Sequence, residues 1–318
     1  MYFYRNLKIK YIMRKLKKPK HLQKIVCFVL LAAIFITVPC MSAASKRSKK
    51  IAAEAAKTII TVWQIDSFEG GKGSRADFLQ KLGNDFAKTN GCYINVKSLS
   101  AEAARLNLGN GIAPDIISYG SGIDGFENYI DGYSVWCNGS YCLLSVDENA
   151  DFNDVTAENT VINEGKENLS LLAAAVCGLK DADSLKSTAA YVKLINGNYK
   201  YLFGTQRDIF RLKTRGVGFK VKPITEYNDL YQLLSVTRHG KRTGHSLRFA
   251  QYVCTRRSEV NKIGMLTDAV GLYDDEMRQM EGQKYDMKLS FPINAETRRS
   301  LENAMSTGDI NILKNLLK

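Results

Sequence analysis

The residues best suited to chemistry sit together just after an apolar, β-branched run. Asp66 and Glu69 flank a short turn, and Gly70-Gly71-Lys72-Gly73-Ser74 follows at once. Two carboxylates act as acid and base when they face each other across a scissile bond, but two acids in one loop are commonly solvated or ligand-binding. The glycine run resembles a phosphate loop. That motif needs a hydroxyl residue directly after its lysine, so that backbone N–H groups, ammonium and hydroxyl share one nucleotide and its magnesium ion. Gly73 separates Lys72 from Ser74, so the phosphate-loop reading fails. No GxSxG or HExxH pattern occurs. His239 and His245 stand at no metal-ligand spacing to the cysteines. No catalytic residue, metal or cofactor is assigned, and the expectation is a protein that binds without turnover.

The elements that hold this segment read clearly. Residues 58–65 are apolar on both faces, as in a strand covered on both sides. Ser74 stands at a helix N-cap position with Asp77 three residues on, and Phe78, Leu82 and Phe86 form an apolar stripe. Cys92, Ile94 and Val96 alternate with polar residues as in a strand. A helix over about 101–108 and a strand over 115–119 complete a strand–helix–strand–helix–strand unit, which implies parallel pairing with right-handed crossovers. Further on, residues 133–144 read as strands near a crossing. Helices are expected over 184–195, 246–257, 295–305 and 310–317, and strands over 199–203 and 218–224.

Residues 1–44 hold nine Lys/Arg and no Asp or Glu, then a 14-residue apolar run from Ile25 to Val38 and the small residues Ser42, Ala43 and Ala44. The run suits a signal-peptide core and falls short of the roughly 18–20 residues of a spanning helix. An uncleaved anchor is the alternative. Residues 45–57 read as a polar tether. Without the leader, the net charge of +13 shrinks to 36 basic against 32 acidic residues. The basic excess therefore belongs to the leader, and nucleic acid is not an expected partner. The cluster Arg238, Lys241, Arg242 and Arg248 reads as a solvated face. Five cysteines follow the leader, an odd number without a dense framework. Cys137 and Cys142 could bridge across a tight hairpin, or could be reduced thiols.

Export, this opening unit and the lack of a catalytic set resemble the extracellular solute-binding proteins of bacterial ABC importers, in particular the broad sugar-binding family that includes maltose-binding protein. The segments that carry the likeness are ITVWQID, PDIISYG, YVKLINGNYKYLFGTQRDIFR and SLRFAQYVCTRRSEVNKIGML. The resemblance implies an α/β, two-lobed periplasmic-binding-protein-like fold of type II. Each lobe would be a mainly parallel sheet flanked by helices, with a hinge between the lobes and its second strand near 223–231. Lobe 1 would take 58–133 and 228–287, and lobe 2 would take 134–227 and 288–318. It further implies a monomer that captures a solute, most plausibly a sugar, at the outer face of the membrane and hands it to permease subunits.

In open α/β sheets ligands bind beyond the carboxyl ends of the strands. That rule places Gln64, Asp66, Phe68 and Glu69 at the cleft from strand one, and Tyr119 and Ser121 from strand three. Trp136 would come from the crossing, and Gln206 and Arg207 from the second lobe. A sugar needs carboxylates, amides and guanidinium groups for its hydroxyls and an aromatic face for its C–H surface. An exported carbohydrate-active hydrolase and a surface module that binds without transport are the competing classes.

Overall fold

A computed structural model describes residues 58–65, 68, 70–165, 168–240, 244–282 and 294–307. The leader, the tether, Asp66, Glu69, Lys241, Arg242 and the helix expected over 310–317 lie outside the described residues.

The first lobe follows the sequence pattern closely. β1 (Thr58–Ile65) leads through the glycine turn to α1 (Arg75–Asn90). Ser74 caps this helix by accepting from the Asp77 N–H at 3.1 Å. β2 (Cys92–Leu99), α2 (Ala101–Gly109) and β3 (Ile116–Gly120) complete the unit. β1 pairs in parallel with β2 on one side and β3 on the other. Phe78, Leu79, Leu82 and Phe86 of α1 are buried on one sheet face with Ile60 and Val62. Ala101, Ala104 and Leu108 of α2 cover the opposite face with Trp63 and Ile65.

The second lobe repeats this plan: β4 (Ser134–Asn138) still belongs to the first sheet, and β5 (Tyr141–Ser145) opens the second. β6 (Thr160–Glu164), α3 (Ser170–Val176), β7 (Asp183–Lys186), α4 (Ser187–Ile195), β8 (Tyr201–Thr205), α5 (Gln206–Thr214) and β9 (Lys220–Pro223) follow. β10 (Tyr231–Val236) returns to the first sheet, followed by α6 (His245–Thr255) and α7 (Ala295–Thr307). The strand orders are β2-β1-β3-β10-β4 and β7-β6-β8-β5-β9. In each sheet the strand next to the third member of the βαβαβ unit arrives from the other lobe and runs antiparallel.

This corrects the expectation of mainly parallel sheets. Each has two parallel and two antiparallel pairings, because the crossing strands enter against the direction of the βαβαβ unit. The start expected for a helix at 184 is also late by three residues, since Ser184–Lys186 pair with β6 before α4 begins. After Leu266, Tyr273, Met277 and Met280 pack with Ile209 and Leu212 of the second lobe. α7 instead sets Arg298 beside Ser121 and Gly122 after β3. The basic cluster is a surface feature where described: Arg238 is exposed and pairs with Asp131 at 2.8 Å.

Cys137 and Cys142 are both free and buried. The segment between them is a crossing and not a hairpin, so Cys137 lies in β4 of one sheet and Cys142 in β5 of the other. Burial pushes the Cys137 thiol up to about 12, which leaves it inert. Alkylation in denaturant without reductant should therefore label both; a bridged peptide carrying the pair would contradict this arrangement.

Gly83 decides how closely α1 approaches β2: a Cβ there would stand 2.6 Å from the Cβ of Ile94. Alanine would add about 1 kcal/mol of helix propensity, while overpacking costs about 1–3 kcal/mol. Because the Ile94 Cβ is fixed to a strand backbone, the clash wins. Gly83→Ala should lower the urea midpoint and Gly83→Val should lower it further; a midpoint raised by alanine would refute this contact.

Candidate functional site

Among the described residues three chain segments join the lobes, and hydrogen bonds tie them to one another. The Gly139 N–H donates to the Leu230 carbonyl at 2.7 Å, and the Asn228 side-chain amide donates to the Gly139 carbonyl at 3.1 Å. In the third, Leu266 exchanges two 2.9 Å backbone bonds with Asn138. At the start of β5 the Tyr141 hydroxyl donates to Asp229 Oδ1 at 2.7 Å, and the Leu169 N–H donates to Oδ2 at 3.1 Å. Asp229 is buried, and desolvation raises its pKa above the ordinary carboxylate range, with the Tyr141 bond and the charge of Arg298 opposing.

Beside these connections a cleft of about 630 Å³ opens between the lobes. The first lobe contributes the glycine turn, Gly70 to Ser74. The turn is held by a 2.9 Å bond from the Lys72 N–H to the Ile263 carbonyl. Gly71 has φ +63°, and a Cβ there would fall 1.9 Å from that carbonyl oxygen, so only glycine fits. The second lobe contributes Arg207, Phe210, Arg211 and Thr214 from one face of α5, Arg215 just beyond it, and Thr188 and Tyr191 from α4. Thr205 and Asp208 set the start of α5 through a capping box.

Lys72, Arg207, Arg211 and Arg215 line the cleft, and among the described residues no carboxylate does. Lys72 Nζ lies 5.3 Å from the centre of the Phe210 ring, which joins the two lobes across the cleft. The Arg215 guanidinium lies 4.9 Å from the Tyr191 ring. Asp208 sits behind the wall, fully buried, 3.1 Å from Arg211 and accepting from Asn163 at 2.7 Å. Desolvation raises its pKa, and the Arg211 charge opposes that rise.

Of the described residues expected at the site, only Arg207 lines this cleft. Gln64 is fully buried and donates to the Ile65 carbonyl. Phe68 is covered by the Arg75 guanidinium at 4.5 Å, and Arg75 itself donates to the Phe68 carbonyl and to Gln232. Trp136 is buried, stacked on Phe78 at 6.0 Å and bonded to Ser118 at 3.0 Å, where Gln232 also donates. Tyr119 packs with Phe126 on the far sheet face, and burial pushes its hydroxyl up to about 12. The Ser121 N–H is engaged by Tyr231. Gln206 is buried at the connection, where it accepts from the Ser140 N–H at 3.0 Å. Lys72, Tyr191, Phe210, Arg211 and Arg215 line the cleft and were not among the residues expected from the strand ends. Their signal was the helical spacing of 207, 210, 211 and 214 with a basic residue following. Gly120, Gly122 and Gly125 also stand at GxGxxG spacing after β3, yet they run into the three-residue 3-10 turn Glu127–Tyr129 and open no α-helix.

No protein-family model and no curated protein matches the sequence. Solved structures match in fold. Apo FutA2 from Synechocystis PCC6803 shares 13% identity at TM-score 0.54, over 82% of this chain and 99% of that one. Iron-bound HitA from Pseudomonas aeruginosa shares 10% at TM-score 0.53, over 78% and 99%. The periplasmic binding protein AfuA from Actinobacillus pleuropneumoniae, with fructose-6-phosphate bound, shares 10% at TM-score 0.52, over 79% and 98%. The chain thus has the α/β, two-lobed fold of periplasmic binding proteins.

The raised pKa of Asp229 fixes a sign. The native state keeps a proton that the unfolded chain releases, so the associated stability is full below the unfolded value and lost as pH rises through the native one. Asp208 acts in the same direction. Stability measured by urea titration should decline as pH rises from about 4, and Asp229→Asn should flatten that decline. An identical pH profile in the variant would contradict the burial of this carboxyl.

Proposed function

We propose that this chain is the extracytoplasmic solute-binding component of an ABC import system. The observation that carries this reading is a cleft walled by both lobes next to paired connecting segments. Segments bonded to each other at one edge allow the lobes to swing about that edge while each sheet stays intact. A solute that touches Lys72 on one side and Arg207 on the other binds the closed arrangement better than the open one, and the closed population grows by that difference. The membrane permease would then read the closed form. The leader-like segment at 1–44 supports delivery to the outer face of the membrane. Among the described residues no helix is long and apolar enough to cross a membrane.

A sugar or sugar derivative suits the wall. Ser74, Thr188 and Thr214 offer hydroxyls, Arg207 and Arg211 offer guanidinium donors, and Tyr191 and Phe210 offer aromatic surface. The likeness to AfuA, whose structure holds fructose-6-phosphate, supports the same direction. The hydrolase reading has less support, since among the described residues no carboxylate lines this cleft.

A thermal-shift screen over sugars, sugar phosphates, glycerophosphodiesters and peptides should give a stabilising solute. Small-angle scattering at saturation with that solute should then show compaction of a monomer. Unchanged dimensions at saturation would overturn capture by closure.

A further inference from the structure

We infer that Gly264 is the stop that sets how closely the two lobes approach each other. The role rests on capture by closure, proposed above, and deepens it by naming the residue that limits closure. Gly264 lies in the third connecting segment, just before Leu266 and its two backbone bonds to Asn138. The glycine turn of the first lobe leans on this segment from one side. The Lys72 N–H donates to the Ile263 carbonyl at 2.9 Å, and a Cβ at Gly73 would stand 3.1 Å from Ile263 Cγ2. Phe210 of α5, in the second lobe, leans on it from the other side. Gly264 has φ +68°, and a Cβ there would fall 2.4 Å from Phe210 Cε2 and 2.8 Å from the Lys72 backbone nitrogen. A residue without a side chain is therefore all that stands between the turn of one lobe and the ring of the other.

The neighbours are poorly placed to yield one at a time. Carbon contacts are optimal at about 3.5–4.0 Å, so a Cβ at 264 would have to be relieved by about 1 Å. The connecting segment is fixed, since Met265 is fully buried, its N–H donates to the Val260 carbonyl at 3.1 Å, and its carbonyl accepts from the Tyr273 hydroxyl at 2.6 Å. Phe210 packs in the second core with Ile209 and Leu212, and a ring on a helix has few rotamers to turn to. The soft coordinate that remains is the swing of the lobes about their bonded connections. Gly264 lies close to those connections, so a small displacement there becomes a larger one at the cleft mouth. The stop thereby sets the width of the cleft, and with it the thickness of solute that can touch Lys72 and Arg207 together. Lys72 Nζ, 5.3 Å from the centre of the Phe210 ring, already spans that width.

Small-angle scattering tests this on the purified protein, alone and with each sugar, sugar phosphate, glycerophosphodiester and peptide of the thermal-shift screen. The quantity read is the smallest radius of gyration reached. Gly264→Ala should enlarge it. Gly197→Ala is the matched control, because Gly197 has φ +70° and a Cβ there meets nothing within 4 Å. It carries the backbone cost alone, so it should lower the melting temperature and keep the parent radius. Gly264→Asn adds the same Cβ on a residue that tolerates this backbone better. It should also enlarge the radius, which keeps the test decisive where the alanine variant does not fold. Phe210→Ala placed in the Gly264→Ala background should bring the radius back toward that of the parent. If the folded Gly264 variants reach the parent radius, or if the double variant stays as expanded as Gly264→Ala, the inference is overturned. A parent that compacts with no solute, beside an expanded Gly264→Ala, would remove capture by closure and leave the stop standing.

Discussion

The structure depends on the bonding between the segments that cross from one lobe to the other. Gly139 and Leu230 belong to two different crossings, and their 2.7 Å backbone bond fixes how those crossings lie together. Asp229 anchors the same place from the side by accepting from Tyr141 and from the Leu169 backbone. A carboxyl at this depth is costly unless its oxygens are satisfied, so the bonds made there set the geometry narrowly. Both sheets follow from it. β10 enters the first and β5 the second as antiparallel insertions, and each lobe gets the same strand order from a chain that crosses more than once.

That constraint also decides where chemistry can happen. The carboxyl ends of β1 and β3 are crowded by the start of α1 and by β10, and their polar side chains are drawn into a buried lattice of Arg75, Gln232, Ser118 and Trp136. The open space lies to one side of this lattice, between the glycine turn and the outer faces of α4 and α5. Ile209 and Leu212 of α5 are buried in the second core, which leaves Arg207, Phe210, Arg211 and Thr214 on the face of the helix that lines the cleft. The helix is amphipathic in the ordinary way, and its polar face is one wall of the cleft.

The glycine turn shows how a local motif and a fold can disagree in detail and still meet. Its spacing rules out a nucleotide cradle, yet the turn lies in the cleft wall with Lys72 reaching toward the second lobe. Gly71 is required there by the Ile263 carbonyl, a neighbour nearly two hundred positions along the chain. The need for glycine is therefore a tertiary one, even though it is written as a local run.

The sequence alone determined the opening strand–helix–strand–helix–strand unit of the first lobe. Apolar runs, a capping serine and a four-residue stripe are local signals, and β1, α1, β2, α2 and β3 answer to them. It also determined that residues 1–44, with nine basic and no acidic residues, account for most of the net charge of +13. Only the tertiary structure decided which of the ligand-like side chains face the cleft. Gln206 and Arg207 are adjacent, yet one is buried against Ser140 and Met265 while the other borders open space. It also decided that Cys137 and Cys142 part into different sheets. The reason is common to both. Periodicity reports the face a residue takes on its own element, whereas exposure at a cleft depends on what distant segments cover that face, and no local pattern carries that information.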